Sequence, residues 1–233
     1  MLITVMKRSI IVPMFAMAMV VAGCTGTSPY ADLALGAGAI PDSVYFVVDT
    51  SGSMLDPDRP RSGAPGRVKL DSAKRALSSI IDEISGSSSL GLRQYPGSVW
   101  DGCDVEPALL DLGRHSRSTL DRAVDGLFAS GQTPTGEALE AAAQDVRAWG
   151  SEVTVVLISD GLSNCAPPCP IAEQLTATTP WTVITIGFDL GNADPAELVC
   201  IADVTGGRYI SIEDGAQLEE LFADPGQLFT VTG

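Results

Sequence analysis

The chain has 233 residues, with 14 basic against 29 acidic side chains for a net charge of −15, one histidine and five cysteines. That length can build one large core or two small ones. At 45% hydrophobic and 18% charged it is too apolar for disorder and too acidic for non-specific nucleic-acid binding, and His115 alone leaves little room for histidine catalysis or a multi-histidine metal site.

Lys7 and Arg8 precede an uncharged run from Ser9 to Ala22. The run has the length of a signal-peptide core and falls short of the ~20 apolar residues of a spanning helix. It closes in Val21-Ala22-Gly23-Cys24, which resembles the bacterial lipobox. The resemblance implies a signal peptide over 1–23, lipidation of Cys24 and anchoring to a bacterial membrane. Thr25 in place of Asp implies the outer membrane if the cell has two. Cleavage without a lipid is the plainer alternative. Thr25 to Pro41, rich in Gly, Ala and Pro, reads as a tether of about 20–25 Å reach, so that 24–41 joins the anchor to a domain over 42–233. Without the first 23 residues the chain carries 12 basic and 29 acidic side chains, net −17.

Ser43 to Asp49 is a continuous apolar run that predicts a strand buried on both faces. Between Arg67 and Ile84, the residues Ala73, Ala76, Leu77, Ile80, Ile81 and Ile84 share one helix face. Leu90 to Tyr95 reads as a second strand and Val105 to Leu112 as a weaker one, suited to an edge. Helices are expected at Ser118 to Phe128 and Thr135 to Trp149, and strands at Val153 to Asp160 and Trp181 to Phe188, with a short helix around Ile171 to Leu175 between them. A helix from Pro195 to Val204, stopped by Gly206 and Gly207, leads to a last strand at Tyr209 to Ile212. Asp214 and Gln217 form a capping-box pattern before Leu218, Leu221 and Phe222. Strands alternating with helices in this way predict a doubly wound α/β sheet.

With Cys24 assigned to lipid, Cys103, Cys165, Cys169 and Cys200 remain, an even set for an exported chain. Two disulfides are expected, in any of three pairings; a zinc site of four thiolates is the rival.

Ligands of doubly wound sheets bind beyond the carboxyl ends of the strands, where the winding reverses. Asp49, Ser51 and Ser53 follow the first strand at intervals of two, Thr133 lies in the loop T-P-T-G-E-A-L, and Asp160 ends a strand in I-S-D-G. Hydroxyls and carboxylates are hard donors suited to Mg²⁺, Mn²⁺ or Ca²⁺. An EF-hand loop starting at Asp49 fails, because Met54 and Pro60 stand where Gly and Glu are needed. No glycine-rich phosphate loop or dinucleotide fingerprint occurs, so no nucleotide is expected.

D-x-S-x-S at Asp49, Ser51 and Ser53, the T-x-T-G loop with Thr133, and S-D-G with Asp160 resemble the metal-ion-dependent adhesion site of von Willebrand factor type A domains. The resemblance spans Pro41 to about Phe222. It implies a six-stranded, mostly parallel sheet with helices on both faces and one antiparallel edge strand, Val105 to Leu112. It also implies that Ser51, Ser53 and Thr133 coordinate a divalent cation, foremost Mg²⁺, through hydroxyl oxygens, while Asp49 and Asp160 act largely through water. The ion then keeps a position for an Asp or Glu carboxylate of a protein partner. Likeness to a bacterial subgroup around CDVE, NCAPPC and LVCIADVTGG favours pairing Cys103 with Cys165 and Cys169 with Cys200, near the site.

The reading that follows is a membrane-anchored, cation-dependent protein-binding module and not an enzyme. A metal-dependent hydrolase is the alternative, weakened by the lack of a base near Ser51 or Ser53 and of a G-x-S-x-G elbow; a passive envelope lipoprotein is another. Asp56 and Asp58 are read as residues of a solvated loop in preference to a second ion site, Met54 as packing beside the site, His115 as an exposed loop residue, and Trp100, Trp149 and Trp181 as core or rim packing.

Overall fold

A computed structural model describes residues 38–60, 62–97 and 102–230. The expected signal peptide, Cys24, most of the tether and Trp100 lie outside the described residues. No helix among the described residues is long and apolar enough to cross a membrane.

The centre of the sheet is β1 (Ser43–Asp49), parallel to β2 (Ser89–Tyr95) on one side and to β4 (Val153–Ser159) on the other. Beyond β4 lie β5 (Trp181–Phe188) and β6 (Tyr209–Ile212), both parallel; β3 (Leu110–Gly113) runs antiparallel along β2 at the far edge. The order is β3-β2-β1-β4-β5-β6. This is the expected six-stranded, doubly wound architecture with one antiparallel edge strand.

Successive side chains of a strand face opposite ways, and β1 divides accordingly. Val44, Phe46 and Val48 pack with Leu77, Ile80 and Ile84 of α1 (Lys69–Ile84), Leu120 and Val124 of α2 (Arg117–Asp125), and Leu218 and Phe222 of α6 (Gly215–Phe222). The rings of Phe46 and Phe222 lie 6.3 Å apart. Tyr45 and Val47 face the other layer, with Leu139, Ala143 and Val146 of α3 (Thr135–Trp149), Ala172 of α4 (Pro168–Thr176) and Ile201 of α5 (Ala196–Val204). A strand enclosed by two helical layers has no polar face, which is why its sequence reads as an unbroken apolar run.

Some local features depart from the sequence reading. The edge strand starts five residues later than expected, at Leu110 opposite Leu92; Pro107, lacking an N–H, cannot donate to a ladder. A 3₁₀ turn at Gly52–Leu55 and a last short helix, α7 (Pro225–Leu228), carry no periodic signal in so few residues. Asp214 accepts the amide of Gln217, and the Gln217 side chain returns to the amide of Glu213 in place of the cap residue itself. Met54 is fully buried as packing. His115 is half-buried, with Nε2 2.8 Å from the carbonyl oxygen of Asp111. Trp181 is buried, whereas Trp149 is partly exposed and donates its indole N–H to Ser43 Oγ.

Candidate metal centre

The neighbours of β1 are β2 and β4, so the winding reverses between β1 and β4, and the crevice beyond their carboxyl ends is where a ligand is expected. Three loops meet there through backbone hydrogen bonds. Ser130 N donates to Thr50 O and Gly52 N to Gly131 O, joining the loop after β1 to the one before α3. Asn164 N and Ser163 Oγ both donate to Thr133 O, bringing in the loop after β4. The glycine of T-P-T-G has a steric role: a Cβ on Gly136 would stand 2.7 Å from Ala166 O, too close for the β4 loop to pack as it does.

These loops bring Asp49, Ser51, Ser53 and Asp160 into one hydrogen-bonded row. Asp49 is fully buried and accepts from Ser51 N at 2.8 Å and Ser159 Oγ at 2.7 Å. Ser51 Oγ lies 3.0 Å from Ser53 Oγ, which donates to Asp160 Oδ1 at 2.7 Å. Ser51 and Asp160 are buried and Ser53 is exposed, so the row opens to solvent at Ser53. Thr133 reaches the same edge through its loop; its amide donates to Asn164 Oδ1.

Burial pushes Asp49 up to about 6, and the nearby Asp160 carboxylate adds to the effect; the Ser159 and Ser51 donors oppose it. Burial, with Asp49 as a further cause, also drives the Tyr95 hydroxyl well above its ordinary value. The Tyr95 hydroxyl lies buried beside those of Ser159 and Thr135, which oppose that rise. The Asp49 and Asp160 carboxylates and the Ser51 and Ser53 hydroxyls, with Thr133 in the adjoining loop, are hard oxygen donors of the kind that fit a divalent cation.

Two residues at the site have no counterpart in the sequence reading. Lys69, the first residue of α1, is buried and places Nζ 2.9 Å from Asp160 Oδ2 and 3.6 Å from Asp189 Oδ2. Asn164 holds Thr133; the S-N-C sequence beside the fourth strand was its only signal. Asp58 corrects an expectation: it is buried and not solvated. Its carboxylate accepts from Arg67 N, Gly215 N and Ser72 Oγ, stitching the loop after β1 to α1 and α6.

Cys103 is joined to Cys165 and Cys169 to Cys200, with Cα separations of 5.8 and 5.7 Å. All four thiols are thereby consumed, which removes the zinc alternative. The first bridge anchors the residue next to Asn164; the second links α4 to α5.

The family model of the von Willebrand factor type A domain matches residues 43–224. An uncharacterized protein of Escherichia coli strain K12, YfbK, is 25% identical over 188 residues, 77% of this chain; the chain spans only 30% of that relative's length. Among solved structures, a von Willebrand factor type A protein from Catenulispora acidiphila is similar at 25% identity and TM-score 0.60, covering 82% of this chain and 43% of its own. The PilB minor pilin from Streptococcus sanguinis is similar in fold, at 16% identity and TM-score 0.64, covering 84% of this chain and 64% of its own.

Proposed function

Because the chain belongs to the von Willebrand factor type A family, we propose that it is a divalent-cation-dependent protein-binding module, held to a bacterial membrane through lipidated Cys24. The observation that carries the metal reading is the row from Asp49 through Ser51 and Ser53 to Asp160 at the switch point, with the Thr133 loop against it. Ser51, Ser53 and Thr133 would hold the ion, foremost Mg²⁺, by hydroxyl oxygens. Both oxygens of Asp49 already accept hydrogen bonds within the fold, which supports action through water. When bound, the cation supplies a Lewis-acidic position that the Asp or Glu carboxylate of a partner completes.

The protein's own groups do the rest. Ser53 donates its proton to Asp160, which fixes the hydroxyl and leaves oxygen lone pairs for the ion. The backbone bonds among the three loops fix the donors before a partner arrives, so less ordering entropy is lost on binding. The hydrolase alternative has less support: the sole histidine bonds Asp111 of the edge strand, and the carboxylate that accepts from Ser53, that of Asp160, is already paired with Lys69.

The test is affinity capture from bacterial envelope extracts with Mg²⁺, with chelator, and with Asp49→Ala. A partner recovered only by the wild-type chain with Mg²⁺ is the expected result. Equal recovery in all three would refute metal-bridged binding.

A further inference from the structure

Lys69 stands where helix electrostatics disfavours it. The amino end of a helix carries partial positive charge, so a cation in the first turn is destabilising, and Val68 before it makes no side-chain cap. The residue is delivered there by tertiary contacts. The loop after β1 folds back through the bridge of Pro57 with Val68, and Lys69 N donates to Asp56 O. The ammonium then sits between two buried carboxylates, 2.9 Å from Asp160 and 3.6 Å from Asp189. Asp189, the one non-glycine residue with positive φ among those described, is itself gripped by Arg59, whose Nε and Nη2 lie 3.0 and 2.9 Å from Oδ1. The two oxygens of Asp160 are therefore divided: Oδ1 accepts from Ser53 and Oδ2 from Lys69.

We propose that Lys69 is a positioning residue of the ion site, which keeps Asp160 from binding the ion directly and holds cation affinity low enough that a partner's carboxylate is needed to complete it. This rests on the reading that the site takes a divalent cation. A fixed ammonium on Asp160 repels the ion and partly neutralises the carboxylate that would attract it. Without that charge, Asp160 would be free to close on the ion, and the ion would then bind more firmly by itself and gain less from an external carboxylate. The arrangement makes binding conditional on two partners at once, ion and carboxylate, where a site with two free aspartates would saturate with ion alone.

The test is calorimetric titration of the purified full chain with Mn²⁺, alone and with acetate as the carboxylate probe. The wild type should bind Mn²⁺ weakly and more tightly with acetate. Lys69→Met should bind Mn²⁺ at least tenfold more tightly and lose most of the acetate gain, while Lys69→Arg, which keeps the charge, should stay within threefold of wild type. Thermal melting adds a second measurement: the ion-free Lys69→Met chain should melt lower than wild type, and Mn²⁺ should raise its melting temperature by more. A purely structural lysine would lower both melts alike and leave Mn²⁺ affinity unchanged or weaker, overturning the proposal. Should Lys69→Met not fold, Asp189→Asn serves: it leaves Lys69 wholly to Asp160 and should weaken Mn²⁺ binding at least threefold, unchanged affinity overturning the proposal. A wild-type chain indifferent to Mn²⁺, like Ser51→Ala, would overturn the metal reading itself; binding by wild type with an unaltered Lys69→Met would overturn only the role of Lys69.

Discussion

Asn164 Oδ1 accepts the amide hydrogen of Thr133 at 2.8 Å, so a side chain from the loop after β4 orients a ligand candidate in the loop before α3. The same side chain donates to Gln132 Oε1, and its neighbour Cys165 is fixed by the bridge to Cys103. Asn164→Ala should therefore cost about 1 kcal/mol of stability, the usual worth of a partly exposed hydrogen bond. Mn²⁺ affinity should fall several-fold, while Asn164→Asp, which retains the acceptor, should recover most of it. Chemical denaturation and Mn²⁺ titration on the same samples check this; equal affinity in all three chains would show that Thr133 needs no such support.

Asp49 is strained by its surroundings in the ion-free protein, since burial and Asp160 both disfavour its charge. Asp49→Asn removes that charge with little change of shape. The ion-free melting temperature should rise by about 2–4 °C, the shift that ~1 kcal/mol brings in a domain of this size. Stabilisation by Mg²⁺ should vanish. Thermal melts with and without Mg²⁺ read both effects, and a variant still stabilised by Mg²⁺ would remove Asp49 from the ligand set.

The same group sets a pH dependence. Its folded-state pKa is raised from 3.8 to about 6, so the ion-free fold prefers the protonated form. Its contribution to stability is greatest below 3.8 and is lost as pH rises through about 6. Cation binding needs the charged form and follows the opposite course, weakening below about 6 and releasing close to one proton per ion at acid pH. Calorimetry at pH 5 and 7.5 in buffers of different ionisation enthalpy would detect the released proton.

Asp58 should prove structural. Asp58→Ala leaves the amides of Arg67 and Gly215 without their carboxylate acceptor inside the protein, at a cost of about 2–3 kcal/mol. The exposed Asp56→Ala should cost within ~0.5 kcal/mol. Denaturant midpoints separate the two variants, and equal midpoints would return Asp58 to a solvated loop.

The contrast between these two aspartates marks what the chain reveals before it folds. Strands β1, β4 and β5 are legible because burial on both faces imposes apolar runs, and α1 because one face repeats with helical period. Asp49, Ser51 and Ser53 are legible as candidates because their spacing is local. Asp58 and Lys69 are set by a loop that returns on itself, where Asp56 O meets Lys69 N and Asp58 N meets Arg67 O. No periodicity encodes such a return, and an Asp-Pro-rich stretch has the composition of an ordinary surface loop. The edge strand is blurred for a related reason: paired on one side only and half-buried, it has no strict alternation to announce its start.

The place of β1 in the sheet has a mechanical consequence. Its carboxyl end carries Asp49, and a short way before its amino end Gly38 donates its amide to Gly226 O and Thr230 Oγ1. A pull on Asp49 along the strand is resisted by β2 and β4, which grip β1 on both flanks over most of its length. Force along that line loads the two ladders in shear, so their hydrogen bonds must yield together and cannot be unzipped one after another.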